Sequence, residues 1–215
     1  MCWSETATLS MVGLGAVATA VTALRGERPA IPITFGFFTA MEALQAWGYQ
    51  TIDQCGTPAN EAATIASYLH IAFQPIFINA FILARSGVTD WRIRRRVLAL
   101  SALATLFLLA RFLPIGGLCQ PGETLCGLAW CTRSGEWHLA WDMPLNGMWQ
   151  VFGDRFSFYM PFPAYVLAVF VMPIFYGAWR FALFHAAIGP GLANLLTDDK
   201  GEIAAIWCLL SIGLV

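Results

Sequence analysis

The chain has 215 residues, of which 58% are apolar and 12% charged, with a formal net charge of −1 and a mean hydropathy of +0.64. A water-soluble domain carries roughly a quarter of its residues as charges to cover its surface, so this composition argues against a soluble globule. The near-neutral charge excludes a nucleic-acid binder and the apolar content a disordered chain, while six cysteines are too sparse for a secreted disulfide scaffold. What remains is an all-α integral membrane protein.

A membrane-crossing helix needs about 20 mostly apolar residues to span roughly 30 Å of hydrocarbon, and its backbone cannot cross lipid in an open extended form. Segments 6–24, 30–50, 62–84, 97–114, 160–179, 181–196 and 201–215 are read this way, giving a seven-helix transmembrane bundle. Arg180 is expected to mark a tight turn between the fifth and sixth; the competing reading is one long broken helix, hence six spans. The last segment is short, about 22 Å at 1.5 Å per residue.

Arg25, Arg28, Arg85, Arg92, Arg94, Arg95, Arg96 and Arg180 fall on one side of this arrangement. Short cationic loops stay cytoplasmic, so the N-terminus is expected outside, the C-terminus inside, and the chain in a bacterial inner (plasma) membrane. The first span is expected to be uncleaved, because Glu5 precedes it and the cations follow.

Segment 115–159 then lies on the extracytoplasmic side. It carries Trp130, Trp137, Trp141, Trp149, Phe152, Phe156, Phe158 and Tyr159, a density of rings that fits an interfacial lid in the headgroup layer better than a recognition surface. Cys55, Cys119, Cys126 and Cys131 share this oxidising side and are disulfide candidates with three pairings open. The alternative is a metal site of Cys119, Cys126, Cys131 and His138, whose spacing lacks the close knuckle of structural zinc. Cys2 is left over.

Ionisable groups inside spans are costly and mark function. The second span carries Glu42, Gln45 and Tyr49 on one face, the third Ser67, His70 and Gln74 on one face, followed by Pro75, which should kink it and free carbonyls. Counted from the outer ends of their spans, Glu42 and His70 both lie about 12 Å deep and are expected to meet. With Gln45, Ser67, Gln74, Arg111 and Glu202 they sketch an outward-facing polar pocket.

Three readings of Glu42 and His70 compete: a buried pair locking two helices, a catalytic metal site, or groups that transfer protons or bind an uncharged substrate. In the second, Glu42, His70 and His185 hold a transition metal (zinc, copper or iron) with an open position that activates water. The opening Met1-Cys2-Trp3-Ser4, the stretch from Ser67 to Pro75 and the ending Ala205-Ile206-Trp207-Cys208-Leu209 resemble an uncharacterised seven-helix membrane family, a domain of unknown function covering essentially the whole chain.

That resemblance implies the architecture and no activity. The zinc-dependent membrane hydrolases that include alkaline ceramidases and adiponectin receptors share the plan, but the last span here lacks their H-x₃-H pair. Microbial rhodopsins need a lysine deep in the last helix, whereas Lys200, the only lysine, precedes it. Three functions stay open: a metal-dependent membrane enzyme, a non-catalytic subunit or assembly factor bound to other membrane-protein subunits, and a small-molecule carrier or receptor.

Overall fold

The computed structural model describes residues 3–115, 117–148 and 162–211. Seven helices dominate: α1 Glu5–Leu24, α2 Ala30–Gln50, α3 Pro58–Arg85, α4 Trp91–Leu109, α5 Pro163–Phe175, α6 over residues 179–196 and α7 Ile203–Ser211. Two of them, α1 and α3, are long and apolar enough to cross a membrane by length and composition. α2 is diluted by Glu42 and Gln45, α4 opens on four arginines, and α5 and α7 are short.

The helix starts differ from expectation where caps decide them. Thr57 accepts the Asn60 N–H and Pro58 takes the first position, so α3 begins at residue 58 and not 62. Asp90 accepts the Arg92 N–H at 2.8 Å, which pulls the Arg-rich segment into α4 at residue 91 rather than 97. The break expected at Arg180 falls earlier, at Gly177, whose φ of +89° suits glycine; α5 and α6 are two helices, and Arg180 sits in the first turn of α6. α3 runs on through Pro75, and the Gly189-Pro190-Gly191 break is absorbed as a π-type turn, Ala187–Gly191. Residues 212–215 of the last expected span lie outside the described residues.

The 115–159 segment is not only a lid of rings. It contains an antiparallel hairpin, β1 Cys131–Ser134 and β2 Leu139–Asp142, with Cys131 opposite Asp142. Trp141 is buried at 1% exposure, inside this cap and not in a headgroup layer. Trp149, Phe152, Phe156, Phe158 and Tyr159 fall outside the described residues.

The cap closes one end of the bundle. Trp3 N–H donates to the Trp137 carbonyl, Asp53 N–H to Thr132, Asn146 N–H to Arg111 and Trp141 N–H to Gly201, so both ends of the cap are stitched to helix termini. Asn60, fully buried, donates to the Thr51 and Thr132 carbonyls at 2.7 Å each and accepts from Thr132 N–H at 3.0 Å. Disulfides Cys55–Cys131 and Cys119–Cys126 staple the same end, with Cα separations of 5.0 and 5.8 Å. At the opposite end, Arg28 donates to the Ala84 carbonyl and Arg94 to those of Leu83 and Val88.

Several polar side chains are buried in the apolar interior while large apolar ones stand exposed. Glu42, Gln45, Asn60, Ser67, Gln74, Asn79 and Glu202 are buried, while Leu14, Val17, Leu106, Phe175 and Leu195 are 62, 62, 62, 85 and 84% exposed. α1 packs on α2 at Gly15, where a Cβ would collide with the Thr39 hydroxyl, a small-residue approach that apolar bundles favour.

Candidate functional site

Where the cap meets the bundle, the buried Gln45, His138 and Ala205 and the half-buried Tyr49 form a chain of hydrogen bonds. Gln45 Nε2 donates to the Ala205 carbonyl at 3.0 Å, so its Oε1 is left to accept. His138 Nε2–H donates to that Oε1 at 2.8 Å, which makes Nδ1 the acceptor for the Tyr49 hydroxyl at 2.5 Å. Burial pushes the His138 imidazole down to about 3 from its ordinary 6.5, so it stands neutral and fully satisfied: a lock between α2 and the cap. Beside it, the Glu202 carboxylate accepts the successive backbone N–H groups of Glu136, Trp137 and His138, with the Thr197 hydroxyl at 2.6 Å. Such a nest of amides suits an anion. Gly135 is obligatory here, since a Cβ would lie 2.6 Å from the Glu202 carboxyl carbon.

Protonation enters through this junction. Between about 6.5 and about 3 the unfolded chain takes a proton on His138 that the folded cap refuses. Stability therefore falls as pH drops through that window, by up to about 1.4 kcal/mol per unit. Asp53, held below 3.8 by the Ser134 hydroxyl and N–H, adds its loss only below that value. So does Asp199, where burial is outweighed by Arg133 and the Gly201 and Glu202 N–H groups. The protection of the amides over residues 131–142, measured against their intrinsic exchange rates at each pH, is expected to fall between pH 7.5 and 5, and His138→Gln to flatten that dependence; equal slopes would refute the assignment.

The second feature is a cavity of about 380 Å³ between α3, α5, α6 and α7, reaching from Glu123 and Lys200 at the cap end to Cys208. Its walls are apolar, with Ile71, Phe162, Phe170 and Trp207 among them. Polar atoms gather on one side, where the Tyr165 hydroxyl donates to Gln74 Oε1 at 2.5 Å and Gln74 Nε2 donates to Cys208 Sγ at 3.3 Å. One Gln74 N–H and the Tyr165 oxygen lone pairs keep capacity for a further partner. The adjoining π-type turn of α5, Leu167–Val171, is secured by Asn79, which donates to the Ala168 carbonyl at 2.9 Å and accepts from Tyr176. Such turns often accompany functional sites.

The expected pocket is not assembled as one cavity. Of its members only Gln74 lines the space; Gln45 and Glu202 serve the cap junction, and Ser67 bonds back to the Ala63 carbonyl of its own helix. Arg111 is 3% exposed, donating to the Asn146 carbonyl and lying 4.7 Å from the Phe162 ring centre.

No hydrogen bond or ion pair joins Glu42 to His70. His70 stacks on Phe37 with ring centres 3.8 Å apart and donates Nε2–H to the Phe37 carbonyl at 2.7 Å. The reason is the early start of α3: His70 lies about 18 Å below that start, Glu42 about 12 Å below the end of α2, a full turn apart. Glu42 is instead close enough to Tyr49 and Cys208 to interact electrostatically with both, and neither carboxyl oxygen has a hydrogen-bond partner. His185 accepts from Trp207 Nε1–H at 3.1 Å among Phe170 and Phe181.

The three-ligand metal set of Glu42, His70 and His185 is accordingly not formed, and among the described residues no group of three His, Cys, Asp or Glu is placed to hold a metal ion. The cysteine–histidine alternative also falls away: Cys131 is paired with Cys55, Cys119 with Cys126, and His138 is turned to Tyr49 and Gln45. Tyr165 and Trp207 were not singled out from sequence. Their helices, α5 and α7, are apolar nearly throughout, which leaves no periodicity to orient them.

A helical bundle capped at one end by a disulfide-stapled hairpin is the class this architecture defines. The chain belongs to a family of unknown function, DUF5765, whose model matches residues 6–215. No curated protein and no solved structure matches it.

Proposed function

We infer that the chain is an integral membrane protein that binds a small, uncharged, largely apolar ligand in the cavity beside Gln74, Tyr165 and Cys208. The membrane part is supported by apolar side chains facing outward over buried polar ones, since extensive exposed apolar surface is otherwise an aggregation liability. Arginines gathered at the end opposite the disulfides support a cap outside and an arginine-rich end in the cytoplasm. In this reading all seven helices contribute to the bilayer-embedded bundle.

The observation that carries the binding part is the cavity itself: about 380 Å³, mostly apolar-walled, with Gln74, Tyr165 and Cys208 gathered at its inner end and Glu123 and Lys200 at its mouth by the cap. Ligand pockets combine a few convergent polar groups with apolar walls in this way. One N–H donor and one hydroxyl acceptor suit a carbonyl or hydroxyl head on a greasy body. Trp207 in the wall gives the readout.

The test is carbonate extraction of membranes from expressing cells, followed by titration of the purified protein with a panel of hydrophobic ketones and alcohols. Retention in the membrane and saturable quenching of Trp207 fluorescence are expected. Gln74→Leu should weaken binding about 10-fold, the value of one lost polar contact. Release by carbonate would remove the first part of the reading, and absence of saturable quenching the second.

A further inference from the structure

The bundle carries a second concavity, a groove of about 650 Å³ between α4 and α5. Its floor is Val97, Ala104 and Ala168, each about 5% exposed. The small side chains at 104 and 168 leave the depth, while Leu100, Leu103 and Leu167 stand at its sides, 52, 47 and 53% exposed. The lining on α4 runs from Ile93 to Phe107, about 21 Å along the axis.

One leaflet's hydrocarbon is about 15 Å thick, so a groove of that length takes an acyl chain and continues to headgroup level. The two ends differ. α4 and α5 run antiparallel, so Arg96 near the start of α4 shares an end with Phe175 and Tyr176 at the close of α5, and Arg96 is the charged residue in the lining. Arg96 is exposed, and among the described residues its side chain has no hydrogen-bond or ion-pair partner. Two of its neighbours are otherwise engaged: Arg94 donates to the Leu83 and Val88 carbonyls and Arg95 lies over Trp91.

We propose that this groove is a binding site for an anionic phospholipid, one acyl chain lying between α4 and α5 and the phosphate meeting Arg96 at the arginine-rich end. The inference rests on the membrane reading above and adds a specific lipid class and site. An aliphatic trough supplies the affinity for the chain, and a single unpaired guanidinium at its headgroup end supplies the preference for negative charge.

The test uses the full-length protein in detergent micelles with equal phosphatidylglycerol and phosphatidylcholine of identical chains, and reads retained lipid by native mass spectrometry. Phosphatidylglycerol is expected in about fivefold excess, the value of one cation at the membrane surface. Arg96→Gln should abolish that excess while total lipid stays near wild type, and Leu103→Trp should lower both lipids alike. Arg25→Gln, which removes the same charge at the same end but beside α1, should leave the excess in place.

Equal retention of the two lipids by the wild type overturns the proposal. So does an Arg25→Gln effect as large as that of Arg96→Gln, or a lipid-free species containing two copies of the chain. Release by carbonate would instead refute the membrane reading beneath it; a chain that stays in the membrane without charge preference refutes only the lipid site.

Discussion

Glu202→Ala is expected to loosen the cap from the bundle, at a cost of at least about 3 kcal/mol. The carboxylate is fully buried and takes three consecutive backbone N–H groups and the Thr197 hydroxyl. Hydrogen bonds to a charged acceptor each contribute about 1.5–3 kcal/mol net, and a buried donor left without one costs about 1–3 kcal/mol. The His138 N–H is buried and would be stranded; those of Glu136 and Trp137 are nearer water and recover part of their loss.

The effect should spread, because the His138 side chain is held in register with Tyr49 and Gln45 by the same backbone. A lowered melting temperature and faster deuterium uptake over residues 134–140 are the expected readouts. Glu202→Gln, which keeps one acceptor oxygen but turns an NH₂ toward the amides, should fall between wild type and alanine. Wild-type melting of the alanine variant would show that the nest carries no stability.

Cys55→Ser is the second large effect. The Cys55–Cys131 bridge closes 76 residues of sequence, the Cys119–Cys126 bridge only 7. In the chain-entropy account the longer loop stabilises by about 4.5 kcal/mol and the shorter by about 2.4 kcal/mol. The long bridge also ties the α2–α3 turn to β1 next to Asn60, whose side chain spans the same junction. Loss of it should therefore lower the melting temperature roughly twice as far as Cys119→Ser, with deuterium uptake rising at residues 51–57 and 131–134 together. Equal shifts from the two variants would place the stabilisation in local packing rather than in loop closure.

Much of this molecule is readable along the chain. The seven apolar segments appear as seven helices because hydropathy and helix length are local properties. The start of α3 was readable too: Thr57-Pro58 is a cap followed by a favoured first residue, and weighing it above hydropathy would have put His70 a turn deeper. The hairpin was harder to see, since Cys131–Ser134 and Leu139–Asp142 are four residues each and lack an Asn-Gly or Asp-Gly turn.

The site was less legible. Glu42, Gln45 and Tyr49 do share a face, as their spacing requires, but spacing is silent on which neighbour that face meets. At Gln45 it meets the Ala205 carbonyl of α7 and at Tyr49 it meets His138 of the cap, while His70 bonds to the Phe37 carbonyl. His138 looked like a loop residue and is a buried structural link. The cavity is assembled from α3, α5, α6 and α7, and no single stretch of sequence contains it.

The amino-acid sequence alone determined the helical class, the number of helical segments, the gathering of arginines on one set of turns and the gathering of cysteines on the other. Tertiary structure alone decided which cysteines pair, which partners the buried Gln45 and His70 find, and where the bundle leaves space. The division follows from the range of the forces involved. Burial periodicity and caps act within a turn or two of chain. The rotation and axial shift of one apolar helix against another are set by close packing among residues far apart in sequence, where small side chains and the few polar partners in an apolar interior choose a single arrangement.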